Sequence, residues 1–182
     1  MKKVCLLIIS TLLLSSCASK TPEVPVAAGV IPDCSTITRV VTATKSLEMP
    51  CLDGSEIINF HTIRGPIVVN VWGSWCVGCR EEMPYFIDLY ANSKFKSGAI
   101  KLLGIDVQER TIDAGQNFIK SYGMSWPHLI DVEDKSKFLF GPGVPVTWFI
   151  DETGVVVESK IGAYSSKEEL FKQVEKAFKV KL

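Results

Sequence analysis

The sequence predicts one α/β domain, a central mixed β-sheet flanked by helices, with an N-terminal β-hairpin extension. Three observations predict it. Apolar runs of strand length alternate with segments of helical period through the middle of the chain, the pattern of parallel strands joined by helices. Near the C-terminus two apolar runs are separated only by Asp151-Glu152-Thr153-Gly154, a hairpin turn that sets strands antiparallel. Further upstream, Leu52-Asp53-Gly54-Ser55 joins two short apolar stretches with the Asp-Gly turn signal. At 182 residues the chain has room for this domain and an N-terminal segment, and 47% hydrophobic residues suffice for a core. The formal net charge is zero, so nothing points to nucleic acid or another polyanion as partner.

Taken in order, the chain opens with Lys2-Lys3 and an apolar stretch of eleven residues, Val4 to Leu14. That stretch is too short to span a bilayer and fits an export signal. Ser19 to about Val30, with Pro22 and Pro25 and no period, reads as an extended tether. Ser46 to Phe60 forms the hairpin, with Leu47 and Met49 before the turn and Ile57, Ile58 and Phe60 after it. Ile67-Val68-Val69-Asn70-Val71-Trp72, bounded upstream by Gly65-Pro66, is a buried strand. Val77 to about Ser93 is a helix, with Met83, Phe86, Ile87 and Tyr90 at helical spacing and Pro84 inside it as a kink. Lys94 to Gly98 is a loop, and Ala99 to Val107 a second parallel strand. Thr111 to Tyr122 is a helix stopped by Gly123, and Trp126 to Asp131 a short strand. A short helix over Asp134–Phe140 precedes the final hairpin. Ser165, with Glu168 three residues on, caps a last helix that packs through Leu170, Phe171, Val174 and Phe178.

The chemistry is carried by Cys76-Val77-Gly78-Cys79, on the turn from a buried strand into a helix. Residues three apart share one helical face, close enough for a disulfide. Amide groups of the first turn favour negative charge, which lowers a cysteine pKa from about 8.5 into a range of roughly 3.5–7.5. Cys76, at the helix start, is therefore the expected attacking thiolate, and Cys79 the resolving thiol. A zinc site needs four ligands, usually including a second Cys/His pair. His61 and His128 are the only histidines, there is no second CxxC, and both histidines read as structural. A c-type haem attachment needs His after the second cysteine, where Arg80 stands. No metal or other cofactor is expected.

Trp75-Cys76-x-x-Cys79, Arg80-Glu81-Glu82-Met83-Pro84 and the distant Gly143-Val144-Pro145-Val146-Thr147 together resemble the thioredoxin superfamily, and most closely its TlpA/ResA/DsbE branch of membrane-tethered thiol-disulfide oxidoreductases. The resemblance runs from roughly Ser46 to Lys179 and implies a thioredoxin-like fold. It implies that Pro145 is a cis-proline beside the CxxC and that the Val144 backbone pairs with an extended substrate segment. Trp75 would shield the site and give an apolar contact. It also implies that Glu82 is buried near the cysteines, titrates high and exchanges a proton with Cys79. Thioredoxin itself places an acid six residues before its first cysteine. Asn70 occupies that position here, so the acid must come from elsewhere. Family members often have proline where this chain has Gly78, a departure that bears on the redox potential and not on the reaction class.

Leu14-Ser15-Ser16-Cys17 resembles a bacterial lipobox. It implies a signal peptide over residues 1–16, lipid on Cys17, a lipid-anchored linker over 17–45 and a thioredoxin-like domain over 46–182. Four cysteines then remain, allowing three pairings. With Cys76–Cys79 as the local pair, Cys34 and Cys51 are left for a structural disulfide that persists outside the cytoplasm. By family, the substrate is the haem-site cysteine pair of apocytochrome c, reduced before haem attachment, with electrons from a CcdA/DsbD-like membrane donor. The rivals are an oxidase or isomerase of exported proteins, and a non-catalytic binding module of the same fold. A peroxiredoxin-like peroxidase fits less well, because those enzymes lack so tight a CxxC.

Overall fold

The structure, a computed structural model, describes residues 30–182. The signal segment, Cys17 and nearly all of the tether lie outside the described residues. Strands β1 (Glu48–Pro50) and β2 (Ile57–Asn59) form an antiparallel pair. A single 3-10 turn over Phe60–Thr62 then leads into β3 (Ile67–Trp72). Helix α1 (Val77–Ala91), helix α2 (Ser93–Lys96), β4 (Lys101–Val107), α3 (Ile112–Tyr122) and β5 (His128–Asp131) follow. The chain ends with α4 (Lys137–Phe140), β6 (Val146–Ile150), β7 (Val156–Ile161) and α5 (Lys167–Phe178).

Five strands make one mixed sheet in the order β5-β4-β3-β6-β7. β3 runs parallel to β4, and β4 to β5, while β6 is antiparallel to both β3 and β7. All residues of the central strand β3 are buried, because both sheet faces are covered. Val68 and Trp72 face a core built from α1, α3 and α5, with Met83, Phe86, Leu89, Phe118, Ile119, Leu170 and Val174. Ile67, Val69 and Val71 face the other way, toward Ile37, Met49, Ile58, Phe60, Ile63 and Phe140. The N-terminal segment thus supplies the second layer. Cys34 and Cys51 are joined in a disulfide, Cα–Cα 6.1 Å, inside that layer.

Several boundaries differ from the sequence expectation, and those of α1, α2 and α5 have a local cause. The helix expected to run to about Ser93 breaks at Asn92, which is extended, and the Asn92 side chain caps α2 by accepting from Lys94 N at 2.9 Å. The segment read as a loop over 94–98 therefore begins as a helical turn. The last helix is capped by Ser166, not Ser165. Ser166 Oγ accepts from Glu169 N at 3.2 Å, and Glu169 reaches back to the backbone and hydroxyl of Ser165, both at 2.8 Å.

Candidate active site

Strand β3 ends at Trp72, and Gly73-Ser74-Trp75 carry the chain over the sheet edge into α1. Cys76 is the N-cap residue, with extended backbone, so its side chain takes the place a serine or aspartate oxygen usually fills. Cys76 Sγ accepts from Cys79 N at 3.1 Å. The two cysteines are joined in a disulfide with Cα–Cα 5.3 Å, so the structure is the oxidised form. Cys79 is fully buried, while Cys76 keeps 6% of its surface.

Beside it lies the loop before β6. The Val144–Pro145 bond is cis, and Cys76 Sγ sits 3.6 Å from the Val144 carbonyl oxygen. Gly78 lies against this loop. A Cβ there would approach Ala163 Cβ to 3.3 Å and Pro145 Cδ to 3.5 Å. Glycine between the cysteines thus lets the first turn of α1 press close against Ala163, beside the proline loop, a physical reason for the departure noted above. Trp75 is 50% exposed, Val77 69% and Ile161, just before Gly162-Ala163, 82%. Trp75 and Val77 flank Cys76 in sequence, so exposed apolar side chains lie on either side of it.

Glu82 is fully buried one helical turn beyond Cys79. Its Oε1 accepts from Asn70 Nδ2 at 3.0 Å, and its Oε2 from Tyr164 N at 3.0 Å. Burial pushes its pKa up from 4.5 to about 7, and these two hydrogen bonds only partly oppose that. Asn70, at the position where thioredoxin has its acid, is thus a partner of the acid. Its Oδ1 has no hydrogen-bond partner. A half-turn of that amide would let it accept from protonated Glu82, so Asn70 suits either charge state.

Sequence reasoning missed three side chains here. Glu109, in the loop after β4, accepts from the Ser74 backbone N–H and from Ser74 Oγ at 2.8 Å, and so ties down the approach to Cys76. Arg80 Nε donates to Ser74 O at 2.7 Å from the other side. Asp106, at the end of β4, is buried with neither carboxylate oxygen partnered, and burial followed by the charge of Glu109 raises its pKa to about 9. The rule that loops at the C-terminal ends of parallel strands gather at one site pointed to this stretch. His128 lies away from the dithiol on β5, over Gly104, wholly buried and kept neutral by burial, which lowers its pKa to about 3. His61 sits in the 3-10 turn on the N-terminal layer. Among the described residues no group of His, Cys, Asp or Glu gathers to hold a metal ion.

Residues 40–159 match the AhpC/TSA family. The chain belongs to that family. A thiol-disulfide oxidoreductase ResA of Bacillus anthracis is 37% identical over 121 residues, 65% of this chain and 67% of the relative. Its counterpart in Bacillus subtilis strain 168 is 33% identical over 97 residues, 53% of this chain and 52% of that protein. Among solved structures, dsbF of MTB superposes with a TM-score of 0.63 at 23% identity, covering 76% of this chain and 99% of the other. The chain is a thiol-disulfide oxidoreductase of thioredoxin-like fold.

Proposed function

We propose that this enzyme is an extracytoplasmic, lipid-anchored reductant of protein disulfides, and that its substrate is the haem-site cysteine pair of apocytochrome c. The observation that carries the chemistry is the asymmetry of the dithiol. Cys76 is the reachable sulfur at a helix N-cap, and Cys79 is buried one turn above an acid that titrates near neutrality. Cys76 thiolate attacks one sulfur of the substrate disulfide, forming a mixed disulfide and releasing the other substrate sulfur as thiolate. The Cys79 amide that now points at Cys76 Sγ stabilises the attacking thiolate. Glu82, as carboxylate, takes the Cys79 proton. Cys79 then attacks Cys76 Sγ, which frees the second substrate thiol and leaves Cys76–Cys79 oxidised. The two electrons lost are restored by a CcdA/DsbD-like membrane donor. Trp75 and the Val144-Pro145 backbone hold the substrate segment, which pairs along the loop as an added strand.

The substrate follows from the resemblance to the TlpA/ResA/DsbE branch, and the anchor from the lipobox-like Leu14-Ser15-Ser16-Cys17. Relatives 37% identical carry the name ResA, and a similar structure is described as a pneumococcal exposed lipoprotein thioredoxin, at a TM-score of 0.57 and 21% identity. Cleavage before Cys17 would put the lipid at the start of the 17–45 linker and leave 46–182 as the catalytic domain. Among the described residues no helix is long and apolar enough to cross a membrane. The Cys34–Cys51 disulfide is assigned a structural role.

Cys79→Ala tests this. The variant is expected to accumulate mixed disulfides through Cys76, with apocytochrome c among the trapped proteins in cells that make it. Equal trapping by Cys76→Ala, or no trapping by either, would contradict the assignment.

A further inference from the structure

Among the described residues, one cation acts on buried Glu82, and it comes from a part of the chain the mechanism has not used. Asn70 on β3 is paired with Thr147 on β6, and Thr147 with Lys160 on β7. Laterally paired residues point to the same sheet face, so Lys160 stands on the α1/α5 face in the row that holds the Glu82 partner. Lys160 Nζ lies 5.2 Å from the Tyr164 ring centroid and 2.8 Å from Glu169 Oε1. Tyr164 is the residue whose backbone N–H holds Glu82 Oε2, and Glu169 holds Ser165, the next residue. The lysine side chain keeps only 24% of its surface, so its charge is incompletely screened.

We propose that Lys160, fixed between Glu169 and the Tyr164 ring, is a positioning residue that sets the charge state of Glu82 and through it the proton supply to Cys79. This rests on the reading of Glu82 as the proton acceptor. The titratable and charged groups packed around Glu82 are few. Cys79 lies on its own helix, Lys160 on β7, Tyr164 in the turn after it and Glu169 on α5, while Asn70 and Thr147 are neutral. Lys160 favours the carboxylate, and Glu169 opposes it. The ion pair is thus a balance with two arms of opposite sign. Its loop residue Tyr164 also carries the contact from Tyr164 Oη to Gln173 Oε1, 2.6 Å, that holds the turn on α5.

The two arms give the test a signature that loss of packing does not produce. The reaction of the reduced full chain with oxidised glutathione is followed against pH in the wild type and in the Glu82→Gln, Lys160→Met, Lys160→Arg and Glu169→Gln variants. Glu82→Gln identifies the limb of the profile that belongs to Glu82. The midpoint of that limb is expected to rise by about half a pH unit in Lys160→Met, a roughly threefold change in the ionised ratio. It should fall by a similar amount in Glu169→Gln and stay in place in Lys160→Arg. If the limb survives Glu82→Gln, the reading of Glu82 falls and this inference with it. If Glu82→Gln removes the limb but Lys160→Met and Glu169→Gln leave it unmoved, or move it the same way, the inference alone is overturned.

Discussion

Glu82→Gln should change how stability depends on pH in a direction opposite to ordinary acid denaturation. Glu82 is fully buried, and burial raises its pKa from 4.5 to about 7. Between those two values the folded chain holds a proton that the unfolded chain has released. Stability therefore falls as pH rises through the window, and is fully restored below the unfolded value. At about 1.4 kcal/mol per unit, the shift corresponds to about 3 kcal/mol over the whole window, of which about 2.5 kcal/mol falls between about pH 5 and about pH 8.5. Glutamine keeps an acceptor for Tyr164 N and adds a donor for the unpartnered Asn70 Oδ1, so the variant should fold. Asp106 shifts in the same sense, but contributes equally to both proteins and cancels in the difference. The assay is urea unfolding of the oxidised protein at the two pH values. The variant should overtake the wild type as pH rises, with the gap growing by about 2.5 kcal/mol. Parallel pH dependence in the two proteins would refute the argument that Glu82 is held protonated by burial.

Three other outcomes follow from the same structure. Replacing Cys34 and Cys51 together by alanine opens a loop whose ends are 17 residues apart, and should lower stability by about 3 kcal/mol in urea unfolding while exchange at Cys76 persists. Gly104→Ala would set a Cβ 2.0 Å from His128 Nδ1 and 2.8 Å from Trp72 Nε1. Its melting temperature should drop by about 5 °C or more, since the crowded pair cannot yield without moving the core. Gly78→Ala meets a tighter than usual contact with Ala163, next to an ordinary one with Pro145, so it should slow disulfide exchange measured by insulin reduction more than it lowers the melting temperature.

The elements that position the dithiol were legible because local signals agree there. An apolar strand, a glycine turn and a helical period meet at Cys76, and Val144-Pro145 opens another apolar strand. The capping-box pattern puts the last helix cap at Ser165, one residue before the Ser166 cap of the fold. Ser165 and Ser166 are neighbours, each with a glutamate three residues on, so the pattern alone cannot choose between them. The surroundings of Glu82 were out of reach for a different reason. Asn70 and Tyr164 are 12 and 82 positions away, and no local period links them. Lys160 enters only through the lateral register of β3, β6 and β7, which is a property of the folded sheet. Glu109 follows the same logic, reaching Ser74 across 35 positions.

Whether the Cys76–Cys79 couple acts as the proposed reductant is decided by its reduction potential. Equilibrated against a dithiothreitol or glutathione series, the protein is expected to give a value near that of thioredoxin, about −270 mV. A value near about −120 mV, that of a strong oxidant, would rule out a reductant and assign the enzyme to disulfide formation in exported proteins.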